Sequence, residues 1–412
     1  VNGAKLMSNS SNNYEVIIAG GGPAGTSAAI HLASCGIKAL LVEQKKFPRA
    51  KLCGEFISPE CWFHFRKLGV EAEMLSSDPA KITETVFYSS SGRRIKVPSD
   101  WFAGKNAALG LSRAEMDYRL LERAKSLGVA VLEEAAVSDL LTDGKRVSGI
   151  RLKHNGQIQE FHAPVTIDAT GRTQALVRKL NKQRRKKRAV DRAKLVAFKV
   201  HLEHTRVAEG ACEIYSYPGG YGGLSSIEHG LSNLCFIAAA KDVRRCGSDA
   251  EAVVRNIVYR NQRAAHTLAK ARIRSDWLSV SLETFGRQSL APTPGLLTIG
   301  DAAAFIDPFT GSGMLMAFES GELASAAIVK HRGCLKQGES FESLAHEYQM
   351  EHQRKFSQRL RISGLLRRAA FLPYAAEAAI LLCSVSDRLR RKLARSTRST
   401  EATIIVSGSN TH

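Results

Sequence analysis

Apolar and polar positions near the start of the chain fall into a strand–helix–strand rhythm. Residues 14–19 form a nearly unbroken apolar run, as a parallel strand buried on both faces requires. The run passes into Gly20-Gly21-Gly22-Pro23-Ala24-Gly25, then into a small-residue stretch at 26–33 that reads as a helix closed by Gly36. Residues 37–43 are a second apolar run, ending in the acid Glu43. This unit predicts the start of a doubly wound sheet. Farther on, the pattern predicts a helix at 111–127, a strand at 130–132, hairpin turns at Asp143-Gly144 and Asn155-Gly156, and a buried strand at 165–169. Strands alternating with Gly-rich turns over 195–240 predict a mixed or antiparallel sheet. Helical stretches at 248–272 and 314–332 flank strands at 278–285 and 296–300, and the remainder reads as helix. The expected fold class is α/β, with a Rossmann-like cofactor domain (14–60, 105–180, 286–330) and an inserted mixed-sheet substrate domain (61–104, 190–285). A disordered lead-in (1–13) and a basic helical C-terminal cap (331–400) complete it.

Composition alters this picture only through charge. The 412 residues are 44% hydrophobic and 24% charged, ordinary for a globular chain, yet 59 Lys+Arg against 39 Asp+Glu leave +20. Residues 178–194 carry ten Lys/Arg against Asp191, and residues 354–398 carry twelve against Glu377 and Asp387. Nearly all the excess lies in these two segments, so the body of the chain is close to neutral. No aromatic residue interleaves the 178–194 charges, which argues against nucleic acid. That run predicts a solvated face, or a dock for an acidic partner such as an acyl-carrier protein or for anionic lipid. Residues 369–385 are apolar between basic flanks and predict a helix capping the substrate cavity or an interfacial helix on a membrane. The eight cysteines show no C-x-x-C pair or metal spacing. Together with the lack of a secretory signal pattern, this predicts a cytoplasmic protein, peripheral to a membrane if the basic segments dock there.

The chemistry starts at Gly20-x-Gly22-x-x-Gly25, preceded by a strand and followed by a helix, with Glu43 at the next strand end. The glycines permit a tight turn and close approach of a pyrophosphate, the helix N-terminus attracts phosphate, and the acid binds ribose hydroxyls. A second motif, Thr298-Ile299-Gly300-Asp301 through Asp307-Pro308-Phe309-Thr310-Gly311-Ser312-Gly313-Met314, resembles the second FAD motif of flavoproteins that include aromatic hydroxylases, halogenases and geranylgeranyl reductases. Leu111-Ser112-Arg113-x-x-x-Asp117 resembles the family's arginine-containing helix start, and Asp168-Ala169-Thr170-Gly171-Arg172 its A-T-G strand end. The resemblance implies FAD, with Asp301 on the ribityl chain, Arg113 on the phosphates and the 311–314 turn facing the flavin. Ala24, Gln44, Val137, Thr170, Gly171, Gly300 and Pro308 are implied as further cofactor contacts.

Lys51-Leu52-Cys53-Gly54-Glu55 is similar to the K-x-C-G segment of geranylgeranyl-reductase-like enzymes. Halogenases carry W-x-W-x-I-P, and Trp62, Trp101 and Trp277 are not so spaced. Where those reductases carry Y-x-W-x-F-P, this chain has Tyr221-Gly222-Gly223-Leu224-Ser225-Ser226, which predicts a roomier pocket. Cys53 reads as a proton donor near the flavin or as a packed apolar residue. Glu55 reads as a ligand of substrate or tuner of Cys53, or as a helix-entry acid. Tyr221 reads as a proton donor or a turn aromatic. His201-Leu202-Glu203-His204 splits its side chains between two strand faces and reads as structural or solvent-facing rather than as a metal site.

The resemblance implies a reductase in which flavin N5 delivers hydride to a C=C bond of a hydrophobic prenyl, polyketide or quinone-like substrate. The sequence has no second dinucleotide motif, so electrons would come from transiently bound NAD(P)H or from an external reductase. The alternatives are a monooxygenase acting through a flavin hydroperoxide, then a halogenase or a non-catalytic flavin-binding scaffold.

Overall fold

A computed structural model describes residues 12–102, 107–180, 194–282, 285–336, 341–370 and 375–396. Residues 1–11 of the expected lead-in and 181–193 of the first basic run lie outside them. The chain begins with β1 (Val16–Ala19), α1 (Pro23–Ser34) and β2 (Ala39–Val42). It continues through α2 (Cys61–Leu68), α3 (Glu71–Ser76) and the hairpin β3 (Glu84–Tyr88) and β4 (Arg94–Pro98). Helix α4 (Arg113–Ser126) leads to β5 (Ala130–Leu132) and then to the meander β6 (Ala136–Asp143), β7 (Arg146–His154) and β8 (Gln157–His162). β9 (Val165–Asp168) and α5 (Ala175–Leu180) close the first half. β10 (Leu195–Glu203), β11 (Ala211–Tyr217), β12 (Gly220–Ser226) and β13 (Ser232–Ala239) follow. Then come α6 (Ala250–Asn256), α7 (Gln262–Leu268), β14 (Leu278–Leu282) and β15 (Leu296–Thr298). Toward the end of the described residues come α8 (Gly313–Lys330), α9 (Phe341–Ala370), α10 (Ala375–Val385) and α11 (Asp387–Ser396).

A five-stranded parallel sheet runs β15-β9-β1-β2-β5. Its apolar runs are continuous because both faces are covered. Val16, Ile18, Ala39 and Leu41 pack against the helices, and Ile17, Ala19, Leu40 and Val42 against the meander and Leu176. The second sheet has eight strands, six of them in the order β10-β13-β12-β11-β3-β4, with β14 and a short strand at 272–273 also on β10. One face of it packs Phe198, Val200, Tyr215 and Phe236 against α6 and α7. The other carries Ala197, Tyr221 and Ile237 and turns toward the parallel sheet's loops.

Two boundaries differ from those expected. Phe65, Leu68 and Met74 of α2 and α3 join the core of the parallel sheet, with Phe65 edge-on to Phe318 of α8, so 61–76 belongs to the cofactor layer. Only the 84–98 hairpin crosses to the second sheet. Leu344, Ala345 and Tyr348 of α9 enter that same core, so the C-terminal cap starts as part of the cofactor domain. Helical periodicity marks an apolar face but not which core receives it.

Helices α1 and α8 bring the two ends of the parallel-sheet domain together. A Cβ at Gly321 would stand 2.5 Å from Ala24 O and 3.0 Å from Ala28 N, so only glycine lets the helices approach this closely. Ser27 Oγ donates to Phe318 O (3.0 Å) and Ser325 Oγ to Ala28 O (3.1 Å) across the contact. Gly321→Ala is expected to lower stability by about 1–3 kcal/mol, read as a lower midpoint in chemical denaturation.

Candidate active site

The loops after β1, β9 and β15, the inward face of the second sheet and the tail helices enclose a cavity of about 630 Å³. The turn after β1 is built by close packing: a Cβ at Gly25 would lie 1.9 Å from Gly20 O. At Gly22 the nearest atom to such a Cβ is Arg113 Nη2 at 3.7 Å, so the turn's outer face is open to a ligand. Glu43 Oε2 accepts from Gly21 N (2.9 Å) and its Oε1 from Lys45 N (3.0 Å), which fixes the acid at the rim of the turn.

Arg49, Lys51, Arg113 and Arg172 are among the cations that line this end of the cavity. Arg113 donates from Nε and Nη2 to Asp117 Oδ1 and Oδ2, both at 2.7 Å, and Arg49 bridges Asp117 and Glu43 at 3.3 Å each. Burial disfavours the Arg113 charge, but Asp117 more than offsets it. Enclosure by the cavity walls, reinforced by Arg49, Arg113 and Arg172, lowers the pKa of Lys51. Asp301 lines the cavity and has no hydrogen-bond partner among the described residues. Its enclosure raises its pKa, opposed by Arg172, Arg113 and Lys51. The 18-residue α8 starts at Gly313 and points its positive end into the same space. An open glycine turn, converging cations, a hydroxyl acceptor and a helix N-terminus fit a dinucleotide with a pyrophosphate.

The family model described as "FAD binding domain" matches residues 13–334. The chain is an FAD-dependent oxidoreductase of that family. The flavoenzyme is 26% identical over 327 residues to digeranylgeranylglycerophospholipid reductase of Methanosarcina mazei, covering 77% of this chain and 75% of that one. It is 26% identical over 383 residues to menaquinone reductase of Mycolicibacterium smegmatis, covering 89% of each. Its fold is similar to that of a geranylgeranyl bacteriochlorophyll reductase-like protein of Thermoplasma acidophilum, with TM-score 0.77, 20% identity, and 97% of this chain and 96% of that one covered. The fold is equally similar to the flavin-dependent brominase Bmp2, with TM-score 0.77, 19% identity and 93% of each covered.

Within the flavoenzyme, Gly20, Gly22, Ala24, Glu43, Gln44, Arg113, Val137, Thr170, Gly171, Gly300, Asp301, Pro308, Gly311, Gly313 and Met314 all line the cavity. Gly25 and Ser312 stand behind the wall, Gly25 in the helix–strand contact and Ser312 with its hydroxyl donating to Thr310 Oγ1 at 2.8 Å. Cys53 is in the wall, where its Sγ accepts from Glu55 N (3.4 Å).

Glu55 also lines the cavity, and its carboxylate is taken up by protein partners. It is fully buried: its Oε1 accepts from Lys199 Nζ and from Arg113 N (2.7 Å), and its Oε2 is bonded to His201 Nε2 at 2.7 Å. Burial pushes the Glu55 carboxyl upward, but the His201 hydrogen bond and the Lys199 ammonium outweigh it and hold its pKa below the ordinary value. Glu55 thus caps the start of α4 and ties it to β10. Alternate residues of β10 share a face, which is why Lys199 and His201 reach one carboxylate. His201 is therefore a partner of Glu55, whereas His204 is exposed and Glu203 pairs with Arg274 at 3.1 Å.

Tyr221 is buried in the wall and donates its hydroxyl to Asp307 Oδ1, which also accepts from Phe309 N at 2.9 Å. Burial pushes the Tyr221 phenol well up, and the adjacent Asp307 adds to this. Asp307 is itself raised by burial, with Arg367 Nε of α9 at 4.0 Å from its Oδ2. Sequence reasoning missed Arg49, Lys199, His201 and Asp307 as parts of the site. The Asp307 signal was present in the second motif, where only its neighbours were singled out.

Proposed function

We propose that this flavoenzyme reduces a C=C bond of a hydrophobic prenyl-, polyketide- or quinone-like substrate. The continuity of the cavity carries this reading: cofactor-turn residues form one end, and Phe87, Ile214, Leu282, Phe309, Leu366 and Ile380 make the rest apolar. The similarity to the two reductases supports it. When bound and reduced, FAD supplies two electrons as a hydride equivalent. Arg113, Arg49 and the α1 N-terminus would hold the pyrophosphate, Asp301 would accept from the ribityl hydroxyls, and the apolar walls would exclude water. Cys53 supplies the proton, because its thiol sits in the wall whereas the Tyr221 O–H is turned toward Asp307. Electrons arrive from transiently bound NAD(P)H.

Anaerobic incubation with dithionite and a polyprenyl substrate tests the proposal. A product heavier by two hydrogens is the expected result. A product that forms only with oxygen and carries an added oxygen atom replaces it with the monooxygenase reading.

A further inference from the structure

Building on that reading, we propose that the outer face of α10 and α11 docks on an anionic lipid bilayer, from which the lipophilic substrate enters the cavity. Helix α10 has two faces of different character. Ile380 and Cys383 turn inward and line the cavity, whereas Leu381, Leu382 and Val385 are 51%, 62% and 80% exposed. Positions 381, 382 and 385 lie within one helical turn of each other and form a stripe. Leu389 of α11 and Leu365 of α9 add further exposed apolar surface, and Leu393 of α11 is shared between that surface and the cavity lining. Six of the eleven exposed large hydrophobics among the described residues thus fall between 365 and 393, a concentration that marks a contact surface.

Charge decides what covers it. Arg388, Arg391, Lys392 and Arg395 of α11 are exposed beside these apolar residues, against the one exposed acid Asp387. Cationic heads next to an apolar stripe match anionic headgroups over an acyl boundary. A bilayer meets both features at once, with headgroups for the cations and acyl chains for Leu382 and Val385. The two helices are held in place on the substrate sheet. Glu377 accepts from Ser91 N (2.9 Å) and Ser91 Oγ (2.8 Å) beside β3 and β4, and Arg395 Nε donates to Trp101 O at 3.0 Å. Because α10 is both cavity wall and outer surface, only the thickness of one helix, about 10 Å, separates bilayer from cavity.

Flotation of the full chain with phosphatidylcholine vesicles, with and without phosphatidylglycerol, tests docking independently of turnover. Binding at least ~10-fold stronger to the phosphatidylglycerol vesicles is expected. Leu381→Ser/Leu382→Ser/Val385→Ser and, separately, Arg388→Glu/Arg391→Glu/Lys392→Glu should each weaken it by ~100-fold. Each variant's flavin spectrum confirms that it is folded. No preference for the anionic vesicles, wild-type binding by the serine variant, or retention on an acidic carrier protein but not on vesicles overturns the proposal. Reduction of a detergent-dispersed polyprenyl substrate is measured in parallel. Variants that no longer float but still reduce it support docking, whereas a chain that floats and reduces nothing supports docking and overturns the reductase reading.

Discussion

Cys53→Ala is expected to lower turnover of the polyprenyl substrate by about 10²–10⁴-fold, the usual contribution of a positioned general acid. The visible flavin spectrum of the variant should be that of the wild type, because the groups assigned to the pyrophosphate and ribityl chain come from other residues. Tyr221→Phe is the decisive comparison. Its hydroxyl is spent on Asp307, so the substitution should cost less than ~10-fold in turnover if Cys53 is the proton source. Stopped-flow measurement of flavin reoxidation by substrate separates the two. A large loss confined to Tyr221→Phe would reassign the proton to Tyr221, and no loss in Cys53→Ala would remove Cys53 from the chemistry.

The second large effect is on stability. Glu55→Gln leaves the Lys199 ammonium, 3% exposed, facing a neutral amide. Breaking a buried pair from one side typically costs about 3–5 kcal/mol, and denaturant titration should show it. Glu55→Gln/Lys199→Met should recover part of the loss, because it removes both charges. The pH dependence has a definite sign. Glu55 is held below its ordinary pKa, so its contribution is complete above the ordinary carboxylate range and is lost as pH falls through the lower folded value. The wild type should therefore lose stability more steeply in acid than the double variant does.

What the sequence made legible was local. The glycine turn, its flanking strand and helix, and the acid at the next strand end lie within thirty residues, and each follows from backbone geometry. The network around Glu55 was not legible, since Lys199 and His201 are 144 and 146 residues away and reach it only through the alternation of β10. Read on its own strand, His201 looked structural or solvent-facing. Tyr221 and Asp307 were each inside a quoted motif, but their pairing depends on the second sheet folding back over the α8 entry. The assignment of α2 and α3 to the wrong domain has a similar cause, because an apolar helix face does not name its partner.

The Gly321 contact also bears on the order of events during synthesis. β1 and α1 emerge first, yet the edge strand β15 and the helix that packs on α1 emerge only after the whole substrate sheet. A nascent chain halted before β15 leaves the backbone edge of β9 unpaired and the small-residue face of α1 exposed. Such unpaired surface is aggregation-prone until translation passes α8. The ligand cradle, split between the two ends of the fold, is thus completed late, after the domain inserted within it has had time to form.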